Sequence, residues 1–278
     1  RIGMHGITAP MSGALMAYLM LRALRSGRAS DFGYAGATIG LGMWLYVSLR
    51  LFPLVLGFMV LHFALTQRPS LRWLLGRVLV TALAALVVAA PVVRFAIAEP
   101  DRFFARTRET SVFSLMPFGD AVGEVGSSLG KHALMFNQKG DQNPRHNLPD
   151  APMLDFLSGV LLLLGLGLAL ASWRNVALVS LPVWILIMVV PGVLTLPWEA
   201  PQALRAIGVI PAVVLVITLA LGAVWRAGRS APWSGVRWAT PVVMAAALAA
   251  IAFANVDTYF GEQARDPNVY ASFSTAET

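Results

Sequence analysis

NQKGDQNPRHNLPDAPMLD, residues 137–155, is a polar island in a chain that is otherwise mostly apolar. It gathers Asp141, Asn143, Arg145, His146, Asn147, Asp150 and Asp155 between two long hydrophobic tracts. Pro144, Pro149 and Pro152 fix φ at their positions and hold the backbone in extended or turn conformations. The rest of the sequence reads as scaffold around this stretch.

Composition decides the class of protein. Apolar residues make up 57% of the chain and charged residues only 13%, with a mean hydropathy of +0.69. A soluble domain carries roughly a quarter charged residues, so the expectation is an all-α integral membrane protein. The net charge of +7 does not point to nucleic acid, because the basic residues form no single stripe and alternate with apolar tracts. Lipid phosphate is the anion that such a distribution meets. Cysteine is absent, which removes any disulfide framework and any thiolate metal site or nucleophile. No basic-then-apolar leader precedes the first helix, and the start at Arg1 leads to the expectation that an upstream part of the protein is missing.

A spanning helix needs about 20 predominantly apolar residues. Eight tracts qualify, at roughly 8–24, 32–48, 51–67, 76–95, 155–172, 175–194, 204–225 and 238–255. They lack the two-residue alternation of a transmembrane barrel strand, so helices are the expected form. Arginine fixes the orientation. Arg22, Arg25 and Arg28 share one short loop; Arg68, Arg72 and Arg77 lie in another; Arg174 follows, and then Arg226, Arg229 and Arg237. By the positive-inside rule all these loops are cytoplasmic, and the protein is placed in the inner, or cytoplasmic, membrane. The long segment 96–153 then faces the other side, together with Ser48 to Arg50, the loop 195–203 and the tail from Val256. Tryptophans 73, 173, 225, 233 and 238 fall at the cytoplasmic helix ends and Trp198 at an outer one, as interfacial anchors do.

The chain accordingly divides into a first set of helices at 1–95, an outer loop at 96–153, a second set of helices at 154–255 and an outer tail or domain start at 256–278. The outer loop is too long for a simple connection. Its opening part, EPDRFFARTRETSVFSLM, mixes Phe103, Phe104 and Phe113 with Arg102, Arg106 and Arg108, which suits a helix lying in the headgroup layer. A glycine-rich connector, GDAVGEVGSSLG, leads from it through an apolar patch at Ala133 to Phe136 into the island.

The stretch RIGMHGITAPMSGALMAYLMLRALRSGRASDFGYAGATIGLGMWLYVSLRLFPLVL resembles the middle of bacterial glycosyltransferases of family 39. These polytopic enzymes are related to the dolichyl-phosphate-mannose protein mannosyltransferases, within the GT-C superfamily. The resemblance continues through RFFARTRETSVF, GDQNPRHNLPDAPMLD and QALRAIGVIP, and ends with NVDTYFGEQARDPNVYASF, where such proteins enter an extracytoplasmic domain. It implies a GT-C-like bundle and transfer of a sugar from a polyprenyl-phosphate donor to an acceptor protein, lipid or glycan on the outer face. It also implies that the catalytic base lies in a first outer loop upstream of Arg1, since no residue here matches it.

Such a reaction needs a carboxylate for the acceptor proton, cations for the phosphate leaving group and an apolar groove for the prenyl chain. Arg50 stands between LYVSL and LFPLVL at a helix end, where a charge usually has a partner or a cavity. The family carries a basic residue at the matching position, which implies a contact to lipid phosphate; snorkelling to the interface is the competing role. Arg205, in PQALRAIG, sits at an outer helix start, able to grip phosphate bidentately beside free amides or to act as an ordinary anchor. Arg145 and His146 form the sharpest pair in the island for an anionic oxygen, with Asp141 placed to orient either one. Asn143, Asn147, Arg106 and His5 are supporting polar groups. Asp155, just before an apolar tract, reads as a helix cap, and His62 as a packed or interfacial histidine.

Four dispersed histidines without cysteine or ligand spacing give no zinc site. No cofactor is indicated, and a divalent ion bridging phosphate is compatible with the sequence without being required. Two other classes stand beside the glycosyltransferase. A transporter or flippase for an amphipathic lipid would carry ionisable groups near mid-membrane and matching broken helices, whereas these tracts are nearly free of acids. A noncatalytic membrane scaffold would lack the acidic base altogether.

Overall fold

The computed structural model describes residues 5–273, and the side chain of His5 lies outside the described part. Among the described residues the fold is helical, with one isolated antiparallel bridge between Ser111 and Thr195. The helices in chain order are α1 (Thr8–Ser26), α2 (Ala29–Leu45), α3 (Phe52–Gln67), α4 (Leu71–Ala98), α5 (Pro100–Thr110), α6 (Val112–Leu115), α7 (Phe118–Leu134), α8 (Phe156–Ala171), α9 (Val176–Val193), α10 (Ala203–Ala206), α11 (Ile210–Arg229), α12 (Ser234–Val256) and α13 (Pro267–Ser272).

Each apolar tract forms a helix, and five helical segments are long and apolar enough to cross a membrane. These are Val47–Gln67, Leu71–Ala98, Val176–Val193, Ala203–Arg229 and Ser234–Arg265, while α8 is apolar but shorter. The arrangement is consistent with an all-α membrane protein. In α4 only Ala89 is buried, and in α12 only Thr240. Leu79, Val87, Val242 and Phe253 project from these helices with more than half of their surface exposed. A large exposed apolar face of this kind suits hydrocarbon and not water.

The core lies between α1, α3, α9 and α11. Met16, Phe52, Leu56, Trp184, Met188 and Val216 are almost completely buried there. Trp184 packs edge-on to Phe52, with centroids 4.9 Å apart, and its Nε1 donates to the Gly208 carbonyl at 2.8 Å. That bond anchors the turn Ile207–Val209 between α10 and α11. The tract expected as one helix from 204 breaks at this turn, and Pro211 near the start of α11 explains the fresh start.

Close helix approach rests on missing side chains. Gly36 and Gly40 of α2 lie against α4, where a Cβ would run into the carbonyl oxygens of Thr81 and Ala85. Small residues four apart allow such backbone contact.

The expected connector GDAVGEVGSSLG is instead the body of α7. Glycine disfavours helix by about 1 kcal/mol per residue relative to alanine, so local preference argues against this helix and packing supports it. Ala121, Ser128 and His132 are buried, with Val125 packed against the core; spaced by four, three and four residues, they form one face. Gly119, Gly123, Gly126 and Gly130 repeat on the same period on another face, with open space beside them. The tail is also helical. It runs through a π-turn at Asp257–Glu262 and returns in α13 toward the island.

Candidate functional site

The site is assembled at the end of the bundle that carries α5 to α7 and the island. Its centre is the short segment Ala200–Ala206, which holds Arg205 and is fixed from several directions. The Ala203 amide donates to Asp141 Oδ2 at 2.7 Å. The Gln202 amide donates to His132 Nε2 at 3.1 Å, and the Gln202 side chain donates to Glu199 at 2.7 Å. The segment therefore hangs between α7 and the island.

Asp141 is the hub of the island, with 1% of its surface exposed. Its Oδ2 also accepts from His146 Nδ1 at 3.0 Å, and its Oδ1 accepts from the Asn143 amide at 2.8 Å. The Asn143 side chain in turn accepts from the Arg145 amide, and Asn147 Nδ2 donates to the Ala151 carbonyl at 2.7 Å. Amides of Met153 and Leu154 pair with the carbonyls of Met135 and Phe136, tying the island to the end of α7. Asp155 caps α8 through the Ser158 amide and also accepts from Asn255 of α12. The asparagines and Asp141 thus build the backbone of the island.

His132 completes this scaffold and was not singled out by the sequence. It is fully buried, with Nδ1 donating to the Ser128 carbonyl at 2.8 Å and Nε2 accepting from Gln202. This pattern requires the neutral ring. Burial, only partly opposed by the Ser128 bond and the Asp141 charge, lowers its pKa below the ordinary 6.5.

Three arginines are linked through α5 beside this scaffold. Arg205 lies within electrostatic reach of Arg106, Glu199 and Tyr46, and the Tyr46 hydroxyl donates to the Leu204 carbonyl at 3.5 Å. Arg50 comes from the 3-10 turn Val47–Leu51. Its guanidinium carbon stands 4.2 Å from the centre of the Phe103 ring, and its Nε is buried without a hydrogen-bond partner. Phe103 and Arg106 are three apart on α5, hence on one helical face, so α5 joins Arg50 to Arg205. The Ser111–Thr195 bridge holds α5 in place, reinforced by Val112 N to Leu194 O and Leu196 N to Thr110 O. Arg106 pairs with Glu109 at 3.6 Å, but both ends of that pair are largely exposed, so it neutralises little.

The expected residues therefore separate into two places. Arg50, Arg205 and Arg106 converge around α5 and α10. Arg145 turns away and donates from Nε to the Ser272 carbonyl of α13 at 2.6 Å, and with His146 it lines a cavity of about 690 Å³ beside α11. Asp141 orients His146 and not Arg145. The side chain of His5 falls outside the described residues. At the other end of the bundle His62 donates from Nε2 to the Trp173 carbonyl at 2.6 Å, a packing role. Among the described residues no three His, Asp or Glu side chains come together as metal ligands would.

Comparison with protein-family models, with curated proteins and with solved structures gives no match for this chain.

Proposed function

We propose that this chain belongs to a membrane glycosyltransferase that transfers a sugar from a polyprenyl-phosphate donor to an acceptor on the extracytoplasmic face. In this reading the protein crosses the inner membrane eight times, its arginine-rich turns are cytoplasmic, and α5 to α7 with the island stand outside. The observation that carries the proposal is the convergence of Arg50, Arg106 and Arg205. Arg50 and Arg205 are partly buried and Arg106 is exposed beside them; a set of guanidinium groups, one with an unpartnered buried Nε, suits an anion.

The chemistry assigned to the cluster is stabilisation of the leaving group. As the bond from the anomeric carbon to the phosphate oxygen breaks, the electron pair stays on the lipid phosphate, and a bond forms from the acceptor heteroatom to that carbon. The acceptor proton goes to a carboxylate outside the cluster. Fixed cations strengthen toward the transition state because charge grows on the oxygen they face. Arginine suits this better than lysine because its planar fork meets two phosphate oxygens at once. Glu199, which accepts from the Gln202 side chain, acts on Arg205 by its charge and balances part of the positive charge.

The test is transfer from a radiolabelled polyprenyl-phosphate sugar by the complete protein in proteoliposomes. Arg205→Ala and Arg50→Ala should each lower the rate by about 100-fold, the scale of removing one oriented group that stabilises developing charge. Arg237→Ala, at the opposite end of the bundle, should not. Unchanged transfer in both cluster variants would refute the assignment.

A further inference from the structure

A cavity of about 690 Å³ lies against α10 and the start of α11, and none of Arg50, Arg106 and Arg205 lines it. Its volume falls inside the range of roughly 300–1,000 Å³ typical of small-molecule sites. The walls are apolar: Met153 from the end of the island, Leu204 from α10, and Ile207 and Val213 from the start of α11. The roof is the returning tail, through Val269 and Phe273. Its polar rim is made by Arg145 and His146 of the island with Tyr259 and Gln263 of the tail.

We propose that this cavity binds one hydrocarbon chain of a single-chain amphiphile whose anionic head rests on Arg145. The shape supplies the chain site, since apolar walls take up a chain with the usual gain from burying apolar surface. Ile210 and Val214, which also line the cavity, are each about half exposed on the outer side of α11, so the chain enters laterally, from the surface that suits hydrocarbon. The rim supplies the sign of the head. Arg145 is exposed, and Nε is committed to the Ser272 carbonyl, which leaves both terminal nitrogens for an anion. His146 is held by Asp141 through Nδ1, which leaves Nε2 as a second donor or acceptor for the same head. An anion rather than a cation is selected because the Asp141 carboxylate that holds His146 is buried and already accepts three bonds.

The Arg145–Ser272 bond also closes the roof. It joins the island to the last turn of α13, so an occupant that draws Arg145 toward its head competes with the contact that holds the tail down. The site is distinct from the Arg50, Arg106 and Arg205 cluster, and neither reading depends on the other.

Photolabelling in lipid nanodiscs tests it, with a diazirine-bearing hexadecyl phosphate as probe and the matching hexadecanol as the neutral control. Labelled peptides should map to 204–214 and 259–273, with the phosphate probe preferred over the alcohol. Arg145→Gln should reduce phosphate labelling by about tenfold, the scale of one charge-assisted contact, and leave the alcohol unaffected. Val214→Trp, placed at an exposed lining position that tolerates bulk, should block both probes. Labelling spread along the exposed faces of α4 and α12, or unmoved by either variant, would overturn the proposal. Equal labelling by the two probes would overturn its anionic part. Loss of sugar transfer in the arginine-cluster variants with this labelling intact would show the two sites to be separate.

Discussion

Replacing Asp141 by Asn removes one charge and almost no volume, yet it strikes the joint between the island and the segment that holds Arg205. The carboxylate accepts the Ala203 and Asn143 amides through different oxygens. An asparagine has one acceptor oxygen, so in either orientation its NH2 group is set against one main-chain donor. His146 can adapt by shifting its ring proton, but an amide cannot. The variant therefore loses charge assistance at one bond and leaves a second donor unmade at a poorly hydrated position, together about 2–4 kcal/mol. Hydrogen exchange measured by mass spectrometry in nanodiscs reads this directly. Exchange across 202–206 should accelerate by roughly 30- to 700-fold, since each 1.4 kcal/mol is a factor of ten. Asp150→Asn is the control, because the Asp150–Lys139 pair at 3.3 Å is more than half exposed on both sides and contributes about 0.5 kcal/mol or less. Unchanged protection of the Ala203 amide in Asp141→Asn would refute the view that this carboxylate fixes the segment.

His132 should make the same joint acid-sensitive: its lowered pKa means the unfolded chain takes up a proton before the folded one, so stability is full above about 6.5 and falls as pH drops below it. Thermal unfolding followed across that window should show the slope in the wild type and lose it in His132→Gln. Gly126→Ala, on the open face of α7, should stabilise the protein by about 0.5–1 kcal/mol in chemical denaturation. Gly36→Val should cost about 1–3 kcal/mol by forcing α2 away from the Thr81 carbonyl, whereas Gly76→Ala, with nothing near it, should stabilise; equal effects at the two glycines would rule out close α2–α4 contact. Asp155→Ala should cost about 1 kcal/mol through the lost cap of α8, read as a lower unfolding midpoint.

The long helices were legible because length and hydropathy are properties of continuous stretches. Seven of the eight apolar tracts became single helices and the one from 204 divides at a turn, with ends displaced by a few residues where caps decide them: α4 starts at Leu71 because Ser70 caps it. The helix α7 was hidden because its glycines speak against helix locally, while the face that supports it carries only four small or polar residues. Ser128 and His132 four apart, in phase with Ala121 and Val125, were the one available signal. The split of the arginines was not legible at all. Arg145 and His146 are neighbours in sequence, but Asp141 takes one and the tail takes the other, and Arg106 comes within electrostatic reach of Arg205 beside a pairing of residues more than eighty positions apart.

The position of Arg205 depends on contacts that no local preference encodes. The segment that carries it contains four helical residues, too few to be stable alone, since nucleation of a first turn is unfavourable. Its geometry is imposed from outside, by Asp141 at its start, His132 beside it and Trp184 beneath the following turn. Two of those three groups sit in the loop between α4 and α8, so a disturbance anywhere in that loop reaches the arginine cluster through a hydrogen bond to its backbone. The same segment presents Leu204 and Ile207 to the apolar cavity. The two proposed ligands, an amphiphile against those side chains and a lipid phosphate at Arg205, would act on one short piece of chain, so binding of one is expected to change the affinity for the other.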